Sequence, residues 1–266
     1  MSYLHGYEPD EIERLENQAN YLQDSIHEVV DFSNRKSLLE IGCGTGAQGR
    51  VILEKFSELK YTGIDISKIQ IKKASKIFET TKHKKRTSFK QIIQNKFPSE
   101  KNQFDSAFIC WVLEHAKNPT QVIKETHRVL QKNAVLYVTE VYNRSFFLNT
   151  ITPSILQYWN CYNEYQINNG GNPNIGIELG QILSNCGFKN ISTKPLIIHV
   201  DKRNKKERLE ALEYWRNLLL SAKQNLLTNN LIDQKLLVNF NSDYEEIMKN
   251  EETIFFYSAI QIKCFK

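Results

Sequence analysis

Three glycines, Gly42, Gly44 and Gly46, follow the short apolar run Leu38-Leu39-Glu40-Ile41. Glycines so spaced let a chain turn sharply and let a ligand approach the main chain closely. Two chemistries fit the stretch. Read from Gly44 it is G-T-G-A-Q-G, the dinucleotide spacing, in which helix amides receive a pyrophosphate. Read from Glu40 it is E-I-G-C-G-T-G, with a carboxylate two residues ahead of the first glycine. A carboxylate in that place repels a pyrophosphate and suits a ligand bearing ammonium and sulfonium charge. Asp65 stands 21 positions after Gly44 (65 − 44), and a carboxylate there serves a ribose diol in either case. Gly49, the third glycine of the dinucleotide spacing, falls inside the next helix, where it eases packing and meets no phosphate.

Those residues need a scaffold that brings strand ends together. "SLLEIG" reads as a strand that stops at glycines, and "AQGRVILEKFSEL" as a helix. "YTGIDIS" is a second strand ending at Asp65, with Ser67 as cap of the helix "KIQIKKASKIFETT". "TSFKQII" and "FDSAFIC" are further strands. "NPTQVIKETHRVL" is a helix with Pro119 near its start, and "AVLYVTEV" is a fifth strand. Alternation at this spacing predicts a parallel sheet with helices on both faces, doubly wound, its cleft at the carboxyl ends of the strands. The heptad-like apolar steps from Ile12 to Val29 predict an N-terminal helix over 9–31. After Val141 an aromatic, Asn-rich stretch reads as a helical insertion, about 143–173. "IGIELGQILSNCGF" is a helix closed by Gly187, and "ISTKPLIIHV" a strand. A long polar helical stretch, about 202–250, precedes the closing strand "TIFFYSAIQIKCF".

The segment "FDSAFICWVLEHAKNPTQVIKETHRVLQKNAVLYVTE" resembles the class I S-adenosylmethionine (SAM)-dependent methyltransferases, which follow F-D and an apolar strand with V-L-E-H, a helix and R-V-L. Phe104-Asp105, Val112-Leu113-Glu114-His115 and Arg128-Val129-Leu130 stand in that order. The resemblance is specific over residues 37–141 and looser beyond. The opening "HGYEPDEIERLENQANYL" is similar to a group related to the ubiquinone/menaquinone C-methyltransferases. The resemblance implies an α/β, doubly wound, seven-stranded and mostly parallel sheet with the last strand antiparallel; the two insertions, which return to that sheet, read as helical caps after strands five and six on one domain over 1–266. It implies SAM as cofactor and S-adenosylhomocysteine as product. Gly42, Cys43, Gly44 and Gly46 would shape the loop under the methionine and ribose, with Glu40 ordering it. Asp65 would hold the ribose, and Ile66, sandwiched with Phe97, the adenine. Cys110 and Trp111 would meet the methionine amine. Tyr7, Arg14 and Gln18 would close over the cofactor from the N-terminal helix. Two departures stand out: Ile93 occupies the position of an acidic or amide adenine partner, leaving Gln94 to replace it, and Lys132-Asn133-Ala134 replaces the K-P-G-G turn.

For methyl transfer the candidate catalytic groups are Glu140 and Tyr142 at the end of strand five and His115, with His5 and Asp201 farther off. The aromatics Phe146, Phe147, Tyr158, Trp159, Tyr162 and Tyr165 suggest either a cap over an acceptor pocket or a small core of the insertion. The expected acceptor is a small molecule; the alternatives are a macromolecular acceptor or a SAM-binding protein without catalysis. An NAD(P) oxidoreductase is disfavoured by Glu40 and V-L-E-H. The 266 residues, 41% hydrophobic and 24% charged, suit a globular chain that buries a full core without staples. Five scattered cysteines with no C-x-x-C predict no disulfide framework, no metal site and a cytoplasmic setting. No apolar run approaches the ~20 residues of a membrane span. The net charge of +5 is modest, and the basic runs Lys82–Arg86 and Asp201–Arg208 lack interleaved aromatics, so no nucleic acid partner is expected. A monomer or homodimer is expected.

Overall fold

The computed structural model describes residues 21–93 and 96–266. The chain runs β1 (Ser37–Ile41), α1 (Ala47–Lys55), β2 (Lys60–Asp65), α2 (Lys68–Glu79), β3 (Thr87–Gln91), β4 (Phe104–Cys110), α3 (Pro119–Val129) and β5 (Leu130–Val141). It continues through β6 (Phe147–Leu148), α4 (Pro153–Asn168), α5 (Ile175–Asn185), β7 (Lys189–Val200), α6 (Lys205–Ser221), α7 (Lys223–Thr228), α8 (Gln234–Lys249) and β8 (Phe255–Phe265).

The strand order is β3-β2-β1-β4-β5-β8, with β7 on the outer edge of β8. β1 to β5 are parallel, and β8 runs antiparallel to both β5 and β7. The seven long strands match the expected sheet. The eighth, the two-residue β6, pairs Phe147 with Phe256 and Leu148 with Phe255. Since β7 occupies the other edge of β8 along its whole length, β6 extends the edge that β5 leaves at Val141.

The chain steps outward from β1 to β3, then returns past β1 to β4. The carboxyl ends of β1 and β4 therefore diverge, which opens a crevice between their loops. Alternation along each strand divides the core between the two faces. Leu38, Tyr61, Phe108 and Tyr137 pack on one face, and Leu39, Ile64, Ile109 and Leu136 on the other. Both faces being covered, the parallel strands read as nearly unbroken apolar runs. The helices after β6 and β7 join the first face, where Tyr158, Leu212, Trp215 and Phe240 belong to the same buried cluster as Leu38.

Local chemistry accounts for the boundaries. Ser67 and Asn118 cap α2 and α3 by accepting from the amides of Gln70 and Gln121. Thr152 caps α4 ahead of Pro153 at its first turn. Gly187, at φ +90°, lies just beyond α5. Asn133, at φ +62°, supplies the left-handed residue within β5 between the Leu130 and Val135 pairings, where the register shifts and a glycine would otherwise serve. The helix predicted over 9–31 is helical at 21–27 and ends there; its residues before 21 lie outside those described.

The basic runs have intramolecular partners. Lys82 and His83 pair with Glu54, and Arg86 donates to the carbonyls of Leu53, Phe56 and Leu59. In the second run Lys202 pairs with Glu252 and Lys205 with Glu251. Arg208, 1% exposed, donates to the carbonyls of Met248 and Asn250.

Candidate active site

A cavity of about 460 Å³ opens at the crevice between β1 and β4. Its floor is the loop after β1. The amides of Gly42 and Cys43 donate to the Ile64 carbonyl at 2.7 and 3.1 Å, tying the loop to β2. Gly42, Gly44 and Gly46 take φ of +68°, +51° and +84°, backbone that disfavours any side chain. At Gly42 the space where a Cβ would stand is filled by the Val112 side chain, so the loops after β1 and β4 interlock without a gap.

Asp65 binds the same loop. Its Oδ2 accepts from the Gly44 amide at 3.0 Å and its Oδ1 from the Ser67 amide at 2.7 Å. Each oxygen keeps lone-pair capacity beyond that one donor. Burial raises its carboxyl above the usual range, against the pull of those amides. Glu40, 3% exposed, accepts from the Tyr61 hydroxyl at 2.6 Å. Its carboxyl is pushed up to about 8, chiefly by burial, with the hydrogen bond opposing and Asp65 adding. Tyr61 reaches Glu40 because position 49 is glycine: a Cβ on Gly49 would fall 2.5 Å from Tyr61 Cζ. The third glycine of the dinucleotide spacing is thus a packing residue inside α1, one side chain away from the loop.

The structure brings Glu40, Gly42, Cys43, Gly44, Asp65 and Ile66 to the cavity wall from one side. Cys110, Trp111 and His115 meet them from the other. Ile66, 54% exposed, and the buried Phe97 stand at the same end with Ile92. Gly46 lies behind the loop, against Phe78, and is absent from the cavity wall. Ile93 is 65% exposed and also off the wall. Tyr7, Arg14, Gln18, His5 and Gln94 lie outside the described residues.

Two candidate catalytic groups need correcting. Glu140 is fully buried and off the cavity wall. Its Oε1 accepts from the amides of Val112 at 2.9 Å and Leu113 at 2.7 Å, and its Oε2 from the amide of Glu114 at 3.2 Å. Burial and the neighbouring Glu114 raise its carboxyl, against those three donors. Glu140 is a clamp on the turn Leu113–His115 and has no route to a substrate. The pleat explains this: a strand-end carboxylate points to whichever face its register dictates. Tyr142 packs into the cluster on the second face of the sheet, away from the cavity wall. Asp201 is also off the wall; it is held by Arg203, with Nη2 to Oδ2 at 2.7 Å.

The aromatic residues divide. Trp159, Tyr162 and Tyr165 line the cavity from α4. Tyr158 turns inward, stacks on Phe240 at 4.3 Å and donates to the Leu219 carbonyl. Phe146 stacks on Trp159 at 4.6 Å from behind, and Phe147 is 53% exposed. Sequence reasoning missed Tyr214 and Trp215 of α6 and Tyr257 of β8, which complete the wall. The pair Tyr214-Trp215 inside an otherwise polar helix was the available signal. It also passed over Glu114, beside His115, whose Oε2 accepts from Gln166 Nε2 at 2.7 Å. Four buried polar atoms of lining residues have no hydrogen-bond partner among the described residues: Gln70 Oε1, Trp111 Nε1, Gln166 Oε1 and Trp215 Nε1. Gln70 carries no motif that would have pointed to it.

Among the described residues no His, Cys, Asp or Glu group could hold a metal, the five cysteines are free thiols, and no helix is long and apolar enough to cross a membrane.

Residues 39–136 match a protein family described as a methyltransferase domain. The chain is 26% identical over 146 residues to (S)-coclaurine N-methyltransferase of Papaver somniferum, covering 54% of this chain and 41% of that protein. The chain thus spans less than half the length of that relative. Among solved structures, the [4+2]-cyclase SpnF superposes with a TM-score of 0.60 at 20% identity, covering 92% of this chain and 81% of that one. Phosphoethanolamine N-methyltransferase 2 of Haemonchus contortus, in complex with phosphomonomethylethanolamine and S-adenosylhomocysteine, superposes with a TM-score of 0.58 at 18% identity. That match covers 93% of this chain and 53% of the other. At such identities these superpositions establish the fold.

Proposed function

From a chain whose residues 39–136 match the methyltransferase-domain family, we propose an enzyme that transfers the methyl group of SAM to a small molecule. One observation carries this reading. The loop after β1, the Asp65 carboxylate and the ends of β1 and β4 meet around one cavity whose floor is acidic and whose far wall is aromatic.

The residues present fit the cofactor. Its charge is met by Glu40 and Asp65, both on the wall. Gln70 Oε1 and Trp111 Nε1, buried at the same wall without partners, are an acceptor and a donor for a polar ligand, since buried polar groups otherwise find partners. When bound, SAM supplies an electrophilic methyl carbon on a sulfonium with a neutral leaving group. Asp65 accepts from the ribose hydroxyls with its remaining lone pairs. Ile66, Ile92 and Phe97 enclose the flat adenine. The loop around Gly44 lets the methionine and ribose lie against the backbone, and the ends of β4 at Cys110 and Trp111 face the amino group.

The chain's remaining task is alignment, for which well-oriented intramolecular reactions show effective molarities of roughly 10⁵–10⁸ M. His115 is the candidate base on the wall. The helical segments at about 143–173 and 202–250 act as caps on one domain, shielding the methyl group from water. The far wall, built by Trp159, Trp215 and Tyr257, favours a partly apolar acceptor of limited size.

Titration calorimetry with SAM is the direct test. Binding in the micromolar range is expected, and Asp65→Ala should weaken it about 100-fold through loss of two charge-assisted hydrogen bonds. No binding at millimolar SAM to the folded protein defeats the proposal. Binding without S-adenosylhomocysteine formation across a broad acceptor set would assign the fold a role other than methyl transfer, since one fold hosts unrelated activities.

A further inference from the structure

The acceptor half of the cavity carries a carboxylate that cofactor binding does not use. Glu114 stands at the turn after β4, clamped from behind by Glu140, which accepts from its amide. Its Oε2 is held by Gln166 of α4 at 2.7 Å, and its Oε1 lies 3.7 Å from His115 Nε2. Its carboxylate therefore stays in place beside the cap.

The same cavity wall carries aromatic rings. Trp159 and Tyr162 lie nearly parallel, centroids 5.7 Å apart at 13°. Trp215 packs against Tyr257 at 4.3 Å, and Tyr257 fixes its hydroxyl by donating to Asn143 Oδ1 at 2.9 Å. Glu114 is near enough to Tyr257 to help raise its phenol, after burial. The rings of Trp159, Tyr162, Trp215 and Tyr257 are each 7% exposed or less. A cation against such desolvated faces gains more than it would at the protein surface.

Charge points the same way. Among the described wall residues the acidic side chains Glu40, Asp65 and Glu114 outnumber the lysine, Lys117, and Glu40 becomes a carboxylate once the cationic cofactor is bound. An anionic acceptor, or a phenol that must become a phenolate, would meet like charge. A cationic head would not.

Resting on the SAM reading above, we propose that the acceptor is an amine on a compact apolar body, its nitrogen seated between the Glu114 carboxylate and the rings of Trp159, Tyr162 and Trp215. The ammonium form binds as counter-ion to Glu114 and passes one proton to that carboxylate. The nitrogen lone pair then forms the N–C bond while the C–S bonding pair returns to sulfur, converting sulfonium to thioether. Glu114 takes in this account the base's role that the wall otherwise leaves to His115, and Glu140 positions it by holding its amide.

The experiment uses the full chain saturated with S-adenosylhomocysteine, whose binding is measured first. The quenching of tryptophan fluorescence then reports occupancy beside Trp159 and Trp215. Three probes of similar shape are titrated: phenethylamine, 2-phenylethanol and 3-phenylpropionate. The amine is expected to bind about 10-fold more tightly than either other probe, the scale of one desolvated cation–π contact with a counter-ion. Glu114→Gln keeps an acceptor for Gln166 and should remove about that 10-fold preference, leaving the alcohol's affinity within twofold. Trp215→Leu, checked for retained S-adenosylhomocysteine binding, should weaken the amine more than the alcohol. Equal affinities, carboxylate preference, no quenching by any probe, or an unchanged amine affinity in Glu114→Gln each overturns the amine assignment while leaving SAM binding standing. Failure of the cofactor titration itself defeats the underlying reading instead.

Discussion

The acidic residue ahead of the glycines carries a testable charge. Glu40 titrates at about 8 in the folded chain against an ordinary 4.5, so the folded state holds a proton that the unfolded state has lost between those values. The stability this contributes is fully present below about 4.5 and is lost as pH rises through about 8. A cationic ligand reverses the preference, because it favours the carboxylate. SAM binding is therefore expected to release a proton at neutral pH, visible as a buffer-dependent heat, and to tighten as pH rises toward about 8. Glu40→Gln should abolish both effects; persistence of the proton release would place it elsewhere. Glu140 makes the opposite case. Its oxygens are used by three amides, so Glu140→Gln, which turns an NH2 toward those donors, should cost about 1–3 kcal/mol in urea unfolding. In the folded variant it should also lower kcat through the loosened Glu114 turn while leaving SAM affinity unmoved. The types and order of Glu40, Asp65 and the glycines were legible from the letters alone. The direction of Glu140 was not, because register and pleat set it.

At the scale of elements, α1 and β2 act as one support for the glycine loop. Gly49 leaves room for Tyr61, and Tyr61 in turn holds Glu40. Gly49→Ala improves local helix propensity, yet it places a Cβ on the Tyr61 ring. The expected result is a net loss of about 1–3 kcal/mol from overpacking, with weakened SAM binding as Tyr61 shifts off Glu40. A stabilised variant with unchanged binding would contradict this support. Strands and helices from β1 to β5 were legible because each is a continuous apolar run or a 3.6-residue pattern between clear caps such as Ser67 and Pro119. β6 was not legible. Two residues have no periodicity, and Phe147-Leu148 pairs only because β8 outruns β5.

At the scale of the molecule, the helices after β6 and β7 and the parallel sheet share one buried cluster that reaches from Leu38 and Tyr61 to Phe240 and Tyr244. Shared core makes unfolding cooperative. Phe240→Ala removes the ring that stacks on Tyr158 and should lower stability by about 3–5 kcal/mol. It should do so in a single transition, with tryptophan fluorescence and far-ultraviolet dichroism coinciding. Separate transitions would mean that the helices after β6 and β7 are an independent unit.

What the letters settle about this protein is local and ordered along the chain: alternating strands and helices, a glycine loop after an acidic strand end, a second carboxylate one strand later. Each depends on residues within a turn or two of each other, so spacing suffices to show it. What only the folded chain decides is convergence from afar. Trp215 of α6, Tyr257 of β8, Trp159 of α4 and Glu114 after β4 share one wall although up to 143 positions separate them (257 − 114). Sheet register and helix packing bring them together, and neither is written in any single segment.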